Sequence, residues 1–278
     1  MGRLCRLSIP VALVAVGLVL GCHDSSEEVV TPVELTPSEG GRSPAASTIE
    51  TLRVDVVAKY PHANDAFTQG LLWHDGVMYE STGRYGQSSL RKVRLDDGEV
   101  LAERSLEPAY FGEGLALVDD RLIQLTWRSG VAIVSDLASL EPEDRLRYQG
   151  EGWGLCYDGD ALWMSDGSSI LERRDPASMD LLREITVWRG DRAVQRLNEL
   201  ECVGDDVYAN VWQSDEILRI DSKTGQVTAV IDASGLLSRA EAIRADVLNG
   251  IAYRPETDTF LLTGKLWPHV FEVELVPR

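Results

Sequence analysis

A motif recurs five times along this chain, and it constrains the fold more than any other feature of the sequence. Each copy has a polar or aromatic residue, a small or acidic residue and an aliphatic residue, followed by a short apolar strand, a turn and a second strand. The copies start 44, 40, 45 and 51 positions apart. A period of about 40–50 residues that contains several short strands is typical of a propeller blade, not of a helical repeat. The copies start at Gln69, Glu113, Trp153, Asn198 and Asn249.

Hairpin signals between the copies predict further strands. Asp97-Gly98 and Thr224-Gly225 are turn dipeptides between apolar runs, so each blade gains a second pair of strands. The lone strand at residues 52–62 is expected to complete the final blade and close the ring. Residues 234–250 are the only segment that reads as a helix. The sequence therefore predicts an all-β fold, a single five-bladed β-propeller over residues 51–278, with four-stranded blades and one short helical insertion.

The first 50 residues have a different character. Two arginines precede an apolar run over residues 7–20, which is too short to span a bilayer comfortably, and residues 1–21 therefore read as a signal peptide. The run ends in a lipobox-like "VLGC", which predicts lipidation at Cys22; an ordinary signal peptide with an incidental cysteine is the alternative. Residues 22–50 are rich in Ser, Thr, Pro, Glu and Gly and predict a flexible tether. We expect export to the bacterial cell envelope, periplasmic or outer surface, with a lipid anchor as the only membrane contact.

Charge and cysteine usage limit the partners. The chain has 27 basic and 45 acidic residues and a net charge of −18, which disfavours nucleic acid and anionic membrane surfaces as partners because phosphates would be repelled. Outside the N-terminal region the cysteines are Cys156 and Cys202. They could pair in an oxidising compartment or be small buried thiols, and we favour the free, buried form. We expect a monomer.

Repeat geometry predicts where side chains converge. The first strand of each propeller blade lines the central channel, so the five starting residues should face one axis. About fourteen residues later a second set should return to the same end of the channel, because the two strands are antiparallel. This second set is Thr82, Trp127, Asp166, Trp212 and Lys265. The combined rim includes Glu113, Lys265, the amides of Gln69 and Asn198 and three tryptophans, which describes a small-ligand pocket, although any one tryptophan could be core filler.

Motifs for other chemistries are missing from the sequence. The histidines, His23, His62, His74 and His269, show no metal-ligand spacing, and there is no G-x-S-x-G, P-loop or G-x-G-x-x-G motif. We therefore expect no metal and no cofactor, and any catalysis should use a carboxylate with hydrogen-bond donors.

The order and spacing of the short motifs resemble the plant and bacterial type of glutaminyl cyclase. Examples are "FTQGL" at 67–71, "YFGEGL" at 110–115, "GWGL" at 152–155, "RLNELE" at 196–201 and "TGKLWP" at 263–268, and the resemblance runs in order over about residues 55–275. It implies a five-bladed propeller that acts without metal as an acyltransferase. Such an enzyme converts the N-terminal glutamine of peptides or proteins to pyroglutamate and releases ammonia.

The same resemblance implies residue roles. Glu113 of "FGEG" is the expected catalytic residue, a proton carrier, and its flanking glycines are expected to let the substrate approach. The expected substrate-binding residues are Phe67, Gln69, Phe111, Trp127, Trp153, Asn198, Trp212 and Lys265. Lys265 could stabilise an oxyanion or tune Glu113. Glu80, Glu199 and Glu201 are weaker candidates, and Glu201 is expected to be buried and hydrogen-bonded. The acidic composition suggests that strongly acidic peptides are poor substrates.

Two other readings stay open. A lipid-tethered propeller could bind a peptide or sugar in its channel without chemistry, since fold does not determine function. A metal-dependent lactonase propeller is a weaker alternative, because it would need His, Asp or Glu ligands on several blades.

Overall fold

Short antiparallel strands follow one another through almost the whole of residues 48–278, which are the residues that the computed structural model describes. The first sheet consists of Thr68–His74 (β2), Val77–Thr82 (β3), Ser89–Val93 (β4) and Val100–Ser105 (β5). The second consists of Gly112–Val118 (β6), Arg121–Thr126 (β7), Val131–Asp136 (β8) and Pro142–Arg147 (β9). The third consists of Leu155–Tyr157 (β10), Leu162–Ser165 (β11), Ile170–Arg174 (β12) and Leu181–Thr186 (β13).

The remaining strands form one eight-stranded sheet and one two-stranded ribbon. The ribbon is Trp188–Arg189 (β14) with Arg192–Ala193 (β15). The eight-stranded sheet contains Glu50–Pro61 (β1), Leu197–Val203 (β16), Asp206–Val211 (β17), Glu216–Asp221 (β18), Val227–Asp232 (β19), Leu248–Arg254 (β20), Thr259–Gly264 (β21) and His269–Pro277 (β22). Its order is β16-β17-β18-β19-β1-β22-β21-β20, so it consists of two runs of four strands joined edge to edge.

The N-terminal strand completes the last run of strands, as its isolated position in the sequence predicts. β1 pairs antiparallel with β22 from Leu52 opposite Pro277 to Pro61 opposite His269. Its first residues also pair in parallel with β19, from Glu50 opposite Ala229 to Arg53 opposite Asp232. The two ends of the described chain are therefore hydrogen-bonded to each other.

The first strands of successive runs lie side by side. β2 contacts β6, β6 contacts β10, β10 contacts β16, β16 contacts β20, and β20 contacts β2 again. Because the first strand of each run contacts the first strands of its neighbours, it is more buried than the last strand. In the second sheet, six of the seven residues of the first strand, β6, are buried, whereas most of the last strand, β9, is exposed. The all-β prediction is confirmed, and the nearly closed arrangement of four-stranded sheets is propeller-like.

Apolar side chains of neighbouring sheets fill the spaces between them. Ile123 on β7 and Leu162 on β11, for example, belong to one buried cluster, and each is at most 1% exposed. Burying a side chain of this size stabilises the fold by about 1.5–3 kcal/mol. Packing of this kind holds the first strands, and any side chains at their ends, in place.

The predicted helical insertion is much shorter than the sequence suggests. Only Arg239–Ala242 (α1) is helical; Ser238 caps it by accepting a hydrogen bond from the Glu241 amide, while the Glu241 carboxylate accepts one from the Ser238 amide. The helix ends early because the chain returns to the sheet, where the Asp246 amide donates to the Lys265 carbonyl at 2.8 Å. Within residues 48–278, no helix has the length and apolar character needed to cross a membrane.

The two remaining cysteines are paired, so the expectation of free thiols is wrong. Cys156 on β10 and Cys202 on β16 form a disulfide, with their Cα atoms 5.4 Å apart. The two strands are neighbours in the circuit, and this separation lies within the range that a disulfide bridges. Spacing along the chain could not show that the two side chains face each other. The predicted signal peptide, Cys22 and the tether up to residue 47 lie outside the described residues.

Candidate active site

One cavity of about 350 Å³ lies where the first strands converge. All nine predicted site residues line it: Phe67, Gln69, Phe111, Glu113, Trp127, Trp153, Asn198, Trp212 and Lys265. Gln213, Asp246 and Val247 also line it, and the sequence-based interpretation missed them. The polar members Gln69, Glu113, Asn198 and Lys265 are buried, whereas the aromatic members are partly exposed. The cavity therefore has a polar floor and an aromatic wall.

Three residues of the two predicted columns do not line the cavity. Thr82 is buried and hydrogen-bonded to Ser89, and Asp166 accepts from the Ser168 amide in a turn. Asn249 is fully buried, and its Nδ2 donates to the Thr68 carbonyl at 3.0 Å and to Gln69 Oε1 at 3.3 Å. Because the Gln69 oxygen is occupied in this way, its NH₂ group remains available to the Glu113 carboxyl.

A repeated irregularity in the first strands turns the site residues inward. The register with the second strand shifts between Thr68 and Gly70, between Gly112 and Leu115, between Leu197 and Leu200, and between Leu248 and Ile251. The residues inside these shifts include Gln69, Glu113, Asn198 and Asn249. Bulges of this type redirect a side chain that regular pleating would place elsewhere. Four of the five leading residues of the sequence repeat are thus bulged, and the fifth, Trp153, precedes its strand β10.

The glycines beside Glu113 serve close packing of strands, and the expectation that they make room for substrate is wrong. A Cβ on Gly114 would lie 2.5 Å from the Leu155 amide nitrogen, and one on Gly112 would lie 2.6 Å from the Thr82 carbonyl oxygen. Protein backbone already fills the space next to both glycines. Gly114 also donates to the Trp153 carbonyl at 2.7 Å, so it joins the second and third sheets directly beneath the carboxyl.

The Glu113 carboxyl is buried among groups with opposing effects on its charge. Only 4% of the residue is exposed. Burial raises the pKa of Glu113 well above its ordinary value, while the Lys265 charge and the Gln69 amide lower it and Glu151 adds to the increase. A carboxyl with a raised pKa can hold and release a proton near neutral pH, which is what a general acid–base group requires.

Lys265 is the buried cation of the cavity floor. Burial lowers the pKa of Lys265, and attraction to Glu113 and Asp246 opposes this effect. Its Nζ lies 5.0 Å from the centre of the Phe67 ring. Within the described part of the chain, Lys265 and Glu113 form no ion pair at 4.0 Å or less. The two groups therefore line the same cavity without contacting each other.

Aromatic rings form the wall in edge-to-face pairs. Trp153 and Trp212 have ring centres 5.6 Å apart with planes at 89°, and Phe111 lies 5.6 Å from Trp127. Glu151 connects two of these rings, because its carboxylate accepts from Trp127 Nε1 at 2.7 Å and from Trp153 Nε1 at 3.1 Å. No pattern in the sequence pointed to this role for Glu151, since its partners lie in separate repeats.

The weaker carboxylate candidates have structural partners. Glu80 is buried and accepts from Thr68 Oγ1 at 2.6 Å beside His62 Nε2 at 2.9 Å. Glu199 accepts from the amides of Leu71 at 3.2 Å and Ile251 at 2.8 Å, which ties three first strands together. None of these residues lines the cavity.

Glu201 is hydrogen-bonded, as expected, but the residue is half-buried where the sequence predicted a buried one. Its carboxylate accepts from the Tyr253 amide at 2.9 Å. Burial raises the pKa of Glu201 to about 8, and Glu201 in turn adds to the raised pKa of Glu199. Within residues 48–278, no group of three or more His, Cys, Asp or Glu side chains is arranged to hold a metal ion.

The fold and the site together define a class: propeller-like all-β proteins with a buried carboxyl on the floor of an aromatic-walled cavity. The sequence model of the family described as "Glutamine cyclotransferase" matches residues 29–275, and the chain belongs to this family. It is 43% identical over 227 residues to the glutaminyl-peptide cyclotransferase of Arabidopsis thaliana, covering 80% of this chain and 71% of that protein. The crystal structure of Myxococcus xanthus glutaminyl cyclase superposes with a TM-score of 0.77 at 40% identity, covering 83% of this chain and 99% of that one.

Proposed function

We propose that the protein is a glutaminyl-peptide cyclotransferase, which converts the N-terminal glutamine of peptides or proteins to pyroglutamate and releases ammonia. The observation that carries the proposal is the Glu113 carboxyl, buried on the floor of a cavity that also holds a lysine and two amides. Family membership supports the same reaction. In its finer detail we propose a five-bladed propeller, with the β16–β19 and β20–β22 runs as the last two blades and β1 as the closing strand.

Substrate binding would begin with the shape of the cavity. The reacting amine and the side-chain amide belong to one residue, so the first requirement is to fold that side chain into a compact attack geometry. Trp127, Trp153 and Trp212 would pack around its methylene groups and exclude water. Orientation of reacting groups can supply several kcal/mol of the barrier reduction, up to about 7–11 kcal/mol in the best cases.

The chemical step needs one proton carrier. The α-amine nitrogen forms a bond to the side-chain amide carbon, and the bond from that carbon to the amide nitrogen breaks. Glu113 accepts the proton that the amine loses and then donates it to the departing NH₂ group, so that ammonia leaves and the carboxyl returns to its starting state. The amides of Gln69 and Asn198 would orient the carbonyl groups. Lys265 would stabilise the negative oxygen of the tetrahedral intermediate, tune the pKa of Glu113, or do both.

A direct assay tests this function. Purified protein is incubated with a glutamine-initiated peptide, with and without a chelator, and ammonia loss is followed by mass spectrometry. We expect the loss to occur and to survive chelation. No loss would contradict the cyclotransferase and favour a binding protein, whereas loss abolished by the chelator would show a metal requirement.

We also propose that the chain is exported and anchored at the bacterial cell envelope through a lipid on Cys22, and that it works as a monomer. The disulfide between Cys156 and Cys202 supports export, because disulfides persist in oxidising compartments. A Cys22→Ser variant should move from the membrane fraction to the soluble fraction; continued membrane association of that variant would contradict the anchor.

A further inference from the structure

Two arginines stand at the mouth of the cavity on different sheets. The Cζ atom of Arg84, just after β3, lies 4.7 Å from the centre of the Phe67 ring. The Cζ atom of Arg196, just before β16, lies 6.0 Å from the centre of the Trp212 ring. Both rings line the cavity, and Arg84 is half-buried and Arg196 exposed, so each guanidinium lies between the aromatic wall and solvent. Stacking of this kind holds an arginine side chain ready for a ligand.

Arg84 and Arg196 differ from the other arginines of the described residues in their backbone conformation. Arg84 has φ of 95° and Arg196 has φ of 68°, a region that favours glycine. A non-glycine residue in such a conformation costs about 1–3 kcal/mol and persists where the surroundings enforce it. Hydrogen bonds hold both backbones: the Gln87 amide and Ser88 Oγ donate to the Arg84 carbonyl, and the Arg196 amide donates to Gly167.

The charges around the mouth leave these two guanidiniums without an anionic partner. Neither residue forms an ion pair with another of residues 48–278, and Arg196 instead donates to the neutral Gln213 amide at 3.1 Å. A third arginine, Arg128, lies 3.8 Å from the centre of the Trp127 ring but pairs with Glu151 at 2.9 Å. Asp246 is the other acid of the mouth, and its carboxylate accepts from the Val247 amide. Three arginines therefore lie beside rings of the cavity wall in a molecule with a net charge of −18, and of the three only Arg128 is ion-paired within the described residues.

We propose that Arg84 and Arg196 bind carboxylate side chains at the second and third positions of the peptide, so that the enzyme prefers substrates with acidic residues directly after the N-terminal glutamine. This inference rests on the proposed function. With the glutamine on the cavity floor, the following residues pass the mouth, and successive side chains of an extended peptide point to opposite sides. Arginines on two different sheets suit that alternation. The acidic composition of the chain predicted the opposite preference, but exposed charges elsewhere on the molecule act weakly here, because they are screened beyond about 10 Å at 0.1 M salt.

Matched peptides test the preference. The substrates are Gln-Glu-Glu-Leu and Gln-Gln-Gln-Leu, both amidated at the C-terminus so that they differ only in the two side-chain charges. We expect kcat/KM to be higher for the acidic peptide. Arg84→Gln and Arg196→Gln should each lower the ratio of acidic to neutral kcat/KM by about two- to fivefold, mainly through KM, which is the size expected for an exposed charge pair. Arg147→Gln is the control: it removes the same charge from an exposed position on β9 and should leave the ratio unchanged.

The outcomes separate this inference from the proposed function. Equal turnover of the two peptides, or a ratio that Arg147→Gln changes as much as the mouth variants do, would overturn the inference and leave the cyclotransferase intact. Failure to turn over either peptide would overturn the cyclotransferase. In that case binding of the same peptides, followed by the fluorescence of the cavity tryptophans, still decides whether Arg84 and Arg196 recognise acidic side chains.

Discussion

Glu113 illustrates how burial converts an ordinary carboxyl into a candidate proton carrier. Its side chain is enclosed on the cavity floor, and the cost of ionisation there raises its pKa, while Lys265 and Gln69 limit the increase. Glu199 and Glu80 are buried as well, but their oxygens are occupied by amide, hydroxyl and imidazole partners. Exposure to the cavity, and not burial alone, separates Glu113 from the other buried acids.

Replacing the Glu113 carboxyl by an amide of the same shape should remove activity without removing the fold. We expect Glu113→Gln to lower kcat by about 10²–10⁴-fold, which is the usual contribution of a positioned acid–base group. The measurement is release of ammonia from a glutamine-initiated peptide, with circular dichroism to verify the fold. Glu143→Gln, an exposed change on β9, is the control and should retain activity. Retained turnover in Glu113→Gln would rule out the assignment.

The pH dependence of a Lys265 variant separates its two possible roles. The Lys265 charge lowers the pKa of Glu113, so Lys265→Gln should raise that pKa further. Because Glu113 must be ionised to accept the amine proton, the low-pH limb of kcat/KM should then move to higher pH, and Lys265→Arg should leave it near its original position. If Lys265 is instead only an oxyanion donor, kcat falls by about 10²–10³-fold at every pH and the limb does not move.

Bulges and glycines within the first strands give the cavity its shape. Glu113 lies in a register shift between Gly112 and Leu115, and backbone from neighbouring strands occupies the space beside both flanking glycines. The strands can approach closely only because a Cβ is missing there. β6 thus directs the Glu113 carboxyl into the cavity, while the glycines on either side of Glu113 contact the neighbouring strands.

The disulfide between β10 and β16 ties two neighbouring sheets beside the site. Its half-cystines are 46 residues apart, and linking such a loop typically stabilises a fold by about 2–4 kcal/mol. We expect Cys156→Ala/Cys202→Ala to lower the free energy of unfolding by that amount, measured by guanidinium denaturation, and to leave the cavity residues in place. Unchanged stability of the double variant, relative to the oxidised parent, would contradict a disulfide in the folded protein.

The hydrogen bonding of β1 to β22 and β19 joins the two ends of the described chain, so the stability of the whole molecule should depend on β1. A chain that starts at residue 48 keeps this strand and should fold and retain activity. A chain that starts at residue 62 loses it, exposes the edge of β22, and should aggregate or unfold at a much lower temperature. Thermal unfolding and soluble yield measure the difference. Equal stability of the two truncations would show that β1 is not needed to close the structure.

Several features followed from the sequence because they depend on local pattern. The repeat spacing predicted the four-stranded sheets, and the alignment of repeats placed Gln69, Glu113, Trp153 and Asn198 around one cavity. Other features escaped it because they depend on contacts between repeats. Glu151 bridges Trp127 and Trp153, Asn249 orients Gln69 from below, and the pairing of Cys156 with Cys202 needs two sheets to meet.

By itself the sequence determined the all-β architecture, the pairing of the N-terminal strand with the last strands and nine of the twelve residues that line the cavity. The architecture and seven of these residues follow from periodicity and repeat position, whereas Phe67 and Phe111 follow from the short motifs that resemble the family. Only the tertiary structure decided that the glycines beside Glu113 serve strand packing, that the cysteines are joined, and that two arginines with left-handed backbones stand at the mouth. The physical reason is that the space beside a residue and the charge near it are set by neighbours that are distant in the chain.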